Sequence, residues 1–212
     1  IQAWSTHVLE AIGVRLSVAP SSAQIGSNNI QLWVANHVSW LDVLVIQALQ
    51  PCVFVAKSEV RHWPLVGHMA QACGVVFVDR SSSSSARKMV DDVASALHHG
   101  YCVAGFPEGT SSEGHDVSLF HANLFEAAID RGVEVVPLAL RYTDARTGLL
   151  CMQAAFVGDL GFMQSLHQVI RTSHLTVGVN IGSTLSPQGH SRRTLAHLSH
   201  RSVSSQLQTL QA

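Results

Sequence analysis

Short apolar runs recur along this chain, each separated from the next by a stretch with helical spacing. Residues 30–35, 52–56, 75–78, 101–104, 133–140 and 175–181 are rich in Val, Ile, Leu, Phe and Ala and read as short buried strands. Between them, residues 40–49, 64–73, 86–98, 119–131 and 161–171 read as helices. Two further strands are expected at 14–19 and 151–157, and two further helices at 2–12 and 190–210. Strand–helix alternation at this spacing predicts an α/β fold: one layered domain spanning residues 1–212, with a mixed, largely parallel sheet flanked by helices.

Punctuation supports the boundaries. Gly13 stops the first helix, Pro51 breaks the helix at 40–49, and Gly74 ends the helix before the strand at 75–78. The serine run 81–85 is expected to be a polar turn that caps the helix at 86–98. In the first helix Ala3, Trp4, Val8, Ala11 and Ile12 share a face. Pro137, inside an apolar strand, marks an edge, a strand end or a bulge, because it has no N–H to give a ladder.

Composition removes several classes. Charged residues are 13% of the chain, about half the usual quarter, and apolar residues are 47%. That excludes a charge-rich disordered chain. The formal net charge of −1 excludes a strongly basic nucleic-acid-binding domain. Cys52, Cys73, Cys102 and Cys151 are far apart and read as small buried hydrophobes in a reducing compartment. The thirteen histidines contain no metal-binding spacing, and His98-His99, His115-Asp116 and His197-x-x-His200 read as solvated groups, so no metal is expected.

Three strand ends carry polar chemistry. Asn36-His37-Val38-Ser39-Trp40-Leu41-Asp42 places a histidine at a strand's end and a carboxylate in the first turns of the next helix. A general-base histidine needs such a carboxylate on its other ring nitrogen. Ser39 is the candidate N-cap of that helix. A second reading stands beside this one: Asp42 complementing the helix dipole, and His37 an ordinary polar strand end. Gly74-Val75-Val76-Phe77-Val78-Asp79-Arg80 sets a guanidinium at a sheet end, suited to a phosphate or carboxylate, or to an ion pair with Asp79. Phe106-Pro107-Glu108-Gly109-Thr110-Ser111-Ser112 offers hydroxyls, backbone N–H groups and a glycine for close ligand approach. Glu108 in that loop pairs with a cation such as Arg80, or accepts a hydrogen bond from a substrate hydroxyl, or belongs to a plain turn.

In order along the chain these segments, with Val136-Pro137, resemble the N-H-x(4)-D, G-x-x-F-x-x-R, F-P-E-G-T and V-P blocks of the lysophospholipid acyltransferase family, the 1-acylglycerol-3-phosphate acyltransferases. The resemblance covers roughly residues 30–140, the motif-bearing core. It implies a glycerolipid-acyltransferase-like fold and transfer of a fatty acyl group from acyl-CoA or acyl carrier protein to a lysophospholipid hydroxyl. By the resemblance His37 is the general base and Asp42 orients it. Arg80 holds the acceptor's phosphate, Glu108, Gly109 and Thr110 shape that pocket, and Lys57 in Phe54-Val55-Ala56-Lys57 lies near the anionic substrate. It implies no cofactor beyond the thioester co-substrate, no nucleic-acid partner, and a membrane-associated enzyme on the cytoplasmic face of the inner membrane.

Where the family often has a basic residue after the Thr110 position, this chain has Ser111 and Ser112. Residues 1–13 are expected to be the remnant of a membrane-associated helix, with Trp4, Val8 and Ile12 meeting either the bilayer or the domain. The helix at 190–212, with Arg192, Arg193, His197, His200 and Arg201, reads as a surface helix or as a basic face for an anionic membrane or an acidic carrier protein. Two other outcomes remain open at this point: an acceptor such as lyso-ornithine lipid, and a lipid-binding module without turnover.

Overall fold

The computed structural model describes residues 1–23, 30–57, 76–78 and 83–211. Its helices are α1 (Gln2–Ala11), α2 (Leu41–Leu49), α3 (Ser83–His98), α4 (Asn123–Arg131), α5 (Phe162–Arg171) and α6 (Arg192–Thr209). Its strands are β1 (Arg15–Val18), β2 (Leu32–Ala35), β3 (Val53–Lys57), β4 (Val76–Val78), β5 (Val103–Gly105), β6 (Val135–Asp144) and β7 (Leu175–Ile181). The expected helix at 64–73, Cys73, most of the loop at 20–29, and Asp79 and Arg80 lie outside the described residues.

The strands form one sheet in the order β1-β7-β6-β2-β5-β3-β4. Only β6 and β7 pair antiparallel; every other neighbouring pair is parallel. The mixed, largely parallel sheet expected from the sequence is therefore present. Strand β2 shows why its sequence is apolar throughout. Trp33 and Ala35 face a core built with α1, α2 and α5, whereas Leu32 and Val34 face one built with α3, α4 and α6. A parallel strand covered on both faces has no solvent side to mark by alternation.

Pro137 is interior to β6 and buried, not at an edge of the sheet. It lies opposite Val34 of β2, and the ladder to β7 begins one residue later at Leu138 and Ile181. On the β7 side its carbonyl accepts from Gly182 N–H at 2.8 Å. The missing donor therefore falls where β7 has just left the ladder.

Four local expectations change. Helix α3 begins at Ser83, so part of the serine run is helix rather than turn. Helix α4 begins at Asn123 rather than 119, because the preceding segment is tied to the loop beneath it: Pro107 C=O accepts from His121 N–H at 2.9 Å, and Ser118 N–H is bound by Glu108. Residues 151–157 are not a strand; they contain a single 3₁₀ turn, Met152–Ala154. Their backbone donates once to the end of β6, Cys151 N–H to Tyr142 C=O, and once to the site loop, Phe156 N–H to Val38 C=O, so no ladder develops. Helix α1 buries Ser5 and Leu9 with Val8 and Ile12 packed beside them, while Trp4 stays 46% exposed, so Val8 and Ile12 belong to the domain. Cys52, Cys102 and Cys151 are buried and in no disulfide.

Candidate active site

Strand β2 ends at Ala35, and the chain turns through Asn36–Trp40 into α2 above the C-terminal edge of the parallel strands. Asn36 fixes that exit. It is buried, its Nδ2 donates to Leu140 C=O at 2.9 Å, and its Oδ1 accepts from Leu140 N–H at 2.8 Å. The amide thus substitutes for one more residue of β2 in the ladder to β6.

His37 follows, its side chain 24% exposed. Its Nδ1 lies 2.8 Å from Asp42 Oδ2. An ionised carboxylate only accepts, so the ring donates through Nδ1–H and its basic lone pair sits on Nε2. Phe106 stacks on the imidazole with centroids 4.1 Å apart and planes 11° from parallel, and Phe54 backs Phe106 at 6.1 Å. The ring is therefore held by a bond at one end and an aromatic wall on one face.

Asp42 is fully buried. A carboxylate removed from water is tolerated when its lone pairs are filled. Oδ2 accepts from Val38 N–H at 2.7 Å and Ser39 N–H at 2.9 Å as well as from His37. Oδ1 accepts from Tyr142 O–H at 2.7 Å. The expected Ser39 N-cap is not formed. Trp40 is the N-cap residue and makes no side-chain capping bond, its indole N–H donating to Ser165 Oγ at 3.0 Å, and the Ser39 hydroxyl has no partner among the described residues. The carboxylate inside the first turn reaches back to the N–H groups before the helix instead.

Tyr142, near the far end of β6, is a site residue that sequence reasoning missed. Its position, 100 residues from Asp42, carries no local signal. Burial first, then the negative charge and hydrogen bond of Asp42, push its phenol well above the usual tyrosine range, so it remains a donor.

Glu108 is 5% exposed and serves the same loop. Its Oε1 accepts from His37 N–H at 2.6 Å and its Oε2 from Ser118 N–H at 2.7 Å. Burial raises its carboxyl above the usual range, opposed by those two N–H donors. Its two oxygens thus face the backbone of this chain. Gly109 has φ +79°, a conformation that favours glycine, and Thr110 is exposed at the rim. Ser111 Oγ donates to Phe156 C=O, and Ser112 N–H donates to His37 C=O at 2.8 Å. Both serines after Thr110 are therefore engaged in holding the loop.

The structure brings together His37, Asp42, Glu108, Gly109 and Thr110 at one end of the sheet. Lys57 is the last residue of β3; its side chain, like Arg80, lies outside the described residues. Among the described residues no three of His, Cys, Asp or Glu cluster as ligands for a cation.

The arrangement is a histidine with one nitrogen committed to a buried carboxylate and the other available, on a half-exposed loop at the C-terminal strand edge. It can accept a proton from a hydroxyl and return it. The sequence profile of the Acyltransferase family matches residues 21–141, more than half of the chain, including His37, Asp42 and Glu108 and stopping one residue short of Tyr142, and the chain belongs to that family. It is 38% identical over 172 residues to a lyso-ornithine lipid O-acyltransferase of Pseudomonas aeruginosa, covering 81% of this chain and 66% of that protein. It is 36% identical over 173 residues to a 1-acyl-sn-glycerol-3-phosphate acyltransferase of Neisseria meningitidis, covering 82% of this chain and 66% of that protein. The chain thus spans just under two thirds of the length of these relatives. In fold it is similar to the crystal structure of the 1-acyl-sn-glycerophosphate acyltransferase PlsC of Thermotoga maritima, with a TM-score of 0.69 at 21% identity, covering all of this chain and 78% of that one.

Proposed function

We propose that this chain transfers a fatty acyl group from an acyl thioester, acyl-CoA or acyl carrier protein, to the free hydroxyl of a lysophospholipid. The acceptor we assign is 1-acylglycerol-3-phosphate, with phosphatidic acid as product. The observation that carries the reading is the 2.8 Å bond from His37 Nδ1 to Asp42 Oδ2, which leaves Nε2 to act as base.

In the first half of the reaction Nε2 takes the acceptor's hydroxyl proton as its oxygen attacks the thioester carbonyl carbon. Asp42 stabilises the imidazolium that forms. The tetrahedral intermediate collapses, the C–S bond breaks, and the leaving thiolate takes the proton from Nε2. His37 returns to its starting state and no covalent enzyme intermediate is formed.

Arg80 captures the acceptor's phosphate, with Gly109 and Thr110 shaping that pocket and Lys57 supplying further positive charge. Glu108 is in this reading a positioning residue for the His37 backbone. No helix among the described residues is long and apolar enough to cross a membrane. We assign the enzyme to the surface of the inner membrane on its cytoplasmic face, where a lysophospholipid presents its headgroup.

A lyso-ornithine acceptor is the second reading, favoured by the 38% identity to a protein of that name. A guanidinium binds a carboxylate as well as a phosphate. The deciding experiment follows free thiol from an acyl thioester with lysophosphatidic acid, with lyso-ornithine lipid, and with neither. Acceptor-dependent release that disappears in His37→Ala supports the proposal, and the acceptor that drives it selects between the readings. Release without acceptor identifies a thioesterase. Folded protein that binds lysolipid but releases no thiol identifies a binding module.

A further inference from the structure

Cys52 and Cys102 stand one residue before Val53 and Val103, which face each other in the parallel ladder of β3 and β5. Val53 N–H donates to Cys102 C=O at 2.8 Å, so the pairing already includes the cysteine backbone. Both side chains lie in the same core cluster as Phe54 and Ala104, under α2. Neighbouring strands are about 4.8 Å apart, inside the range of about 4.4–6.8 Å that a disulfide spans between Cα atoms.

The two thiols are hydrogen-bonded to each other. Gln50 Nε2 donates to Cys102 Sγ at 3.6 Å. Gln47 grips the backbone of Cys52 from both sides, accepting its N–H at 3.0 Å and donating to its C=O at 2.8 Å. The Cys52 thiol, against the opposing effect of burial, brings Cys102 down to about 7, and the same bond raises Cys52. With Gln50 donating to its sulfur, Cys102 is the better placed of the two to carry thiolate character. Exposed Pro51 and Tyr101 flank it at the N-terminal ends of the strands, the end of the sheet opposite His37. Cys151 is apart from this pair, its thiol on Gln153 Oε1 at 3.3 Å.

We propose that Cys52 and Cys102 form a redox-active dithiol that a peroxide oxidises to a cross-strand disulfide between β3 and β5. The Cys102 thiolate attacks the peroxide O–O bond. The sulfur is oxidised to a sulfenic acid and the peroxide is reduced to an alcohol or to water. Cys52 sulfur then attacks the sulfenic sulfur, the S–S bond forms, and the hydroxyl leaves as water with the Cys52 proton. A thiol reductant restores both cysteines by exchange.

The test uses the whole chain, reduced and then exposed to hydrogen peroxide at pH 7, followed by alkylation and peptide mass spectrometry. Available thiols fall from four to two, and one cross-linked peptide pair containing Cys52 and Cys102 appears. Dithiothreitol removes it. In Cys52→Ser the Cys102 sulfur instead runs on to sulfinic acid, while Cys151→Ser leaves the cross-link intact. The proposal is overturned if all four thiols survive, if the cross-link joins other cysteines, or if Cys102 reaches sulfinic acid as fast in the wild-type chain as in Cys52→Ser.

Discussion

Tyr142 donates its phenol O–H to Asp42 Oδ1 at 2.7 Å, across 100 residues of sequence, while His37 holds the carboxylate's other oxygen. The histidine–carboxylate pair is therefore anchored from behind by a strand, not only by its own turn. Each of the three groups limits the movement of the next, and the consequences are measurable.

Replacing Asp42 with Asn leaves the volume unchanged and removes the charge that stabilises imidazolium. The kcat for acyl transfer is expected to fall by roughly 10²- to 10⁴-fold with little change in KM. An unaltered kcat would remove Asp42 from the proton-transfer machinery.

Tyr142→Phe deletes one of the four hydrogen bonds to a buried carboxylate. Stability should drop by about 1.5–3 kcal/mol in urea unfolding, the range for bonds to charged groups. The pH dependence has a defined sign. The folded-state phenol is raised above its unfolded value, so its contribution is complete below the ordinary tyrosine range and is lost as pH rises toward the folded value. The stability gap between wild type and Tyr142→Phe should stay level through neutral pH and begin to close above pH ~10. A gap that widened there would contradict the burial of this phenol.

Asn36→Ala empties the amide that pairs with both backbone groups of Leu140. Two buried backbone groups are left without partners, at about 1–3 kcal/mol each. Chemical denaturation should show a loss of several kcal/mol, with amide exchange at Leu140 accelerating more than elsewhere in β6. Exchange that is uniform along β6 would mean that the amide does not act locally.

Glu108→Ala frees the N–H groups of His37 and Ser118 together. Exchange at both amides should rise sharply, and activity should fall with them because the His37 backbone is no longer clamped. If Glu108 instead bound acceptor, KM would rise while exchange at Ser118 stayed slow.

Much of this was legible from local pattern. The strands β2 to β7, the helices expected at 40–49, 86–98, 119–131 and 161–171, and Leu175–Ile181 to the residue follow from periodicity and punctuation. His37 and Asp42 are five residues apart, so a strand end and one helical turn bring them together without help from the rest of the chain. The Glu108 side chain was legible as a loop group but not as a clamp, because its partners are backbone N–H groups that any residue type supplies. Residues 151–157 read as a strand because they are apolar. Whether such a run joins a sheet depends on a neighbour's free edge, which no local pattern reports. The Ser39 cap is absent for a local reason: the Asp42 N–H that its hydroxyl would take donates to Ser39 C=O at 3.1 Å instead.

The sequence by itself determined the class of fold and the pairing of His37 with Asp42, since both rest on interactions within a few positions along the chain. Tertiary structure decided what immobilises that pair. Tyr142 reaches Asp42 only because β6 lies beside β2 in the sheet, and Glu108 reaches His37 only because β5 lies on the other side of β2. Contacts of that range depend on strand order and register, which the sheet settles as a whole when it buries both its faces.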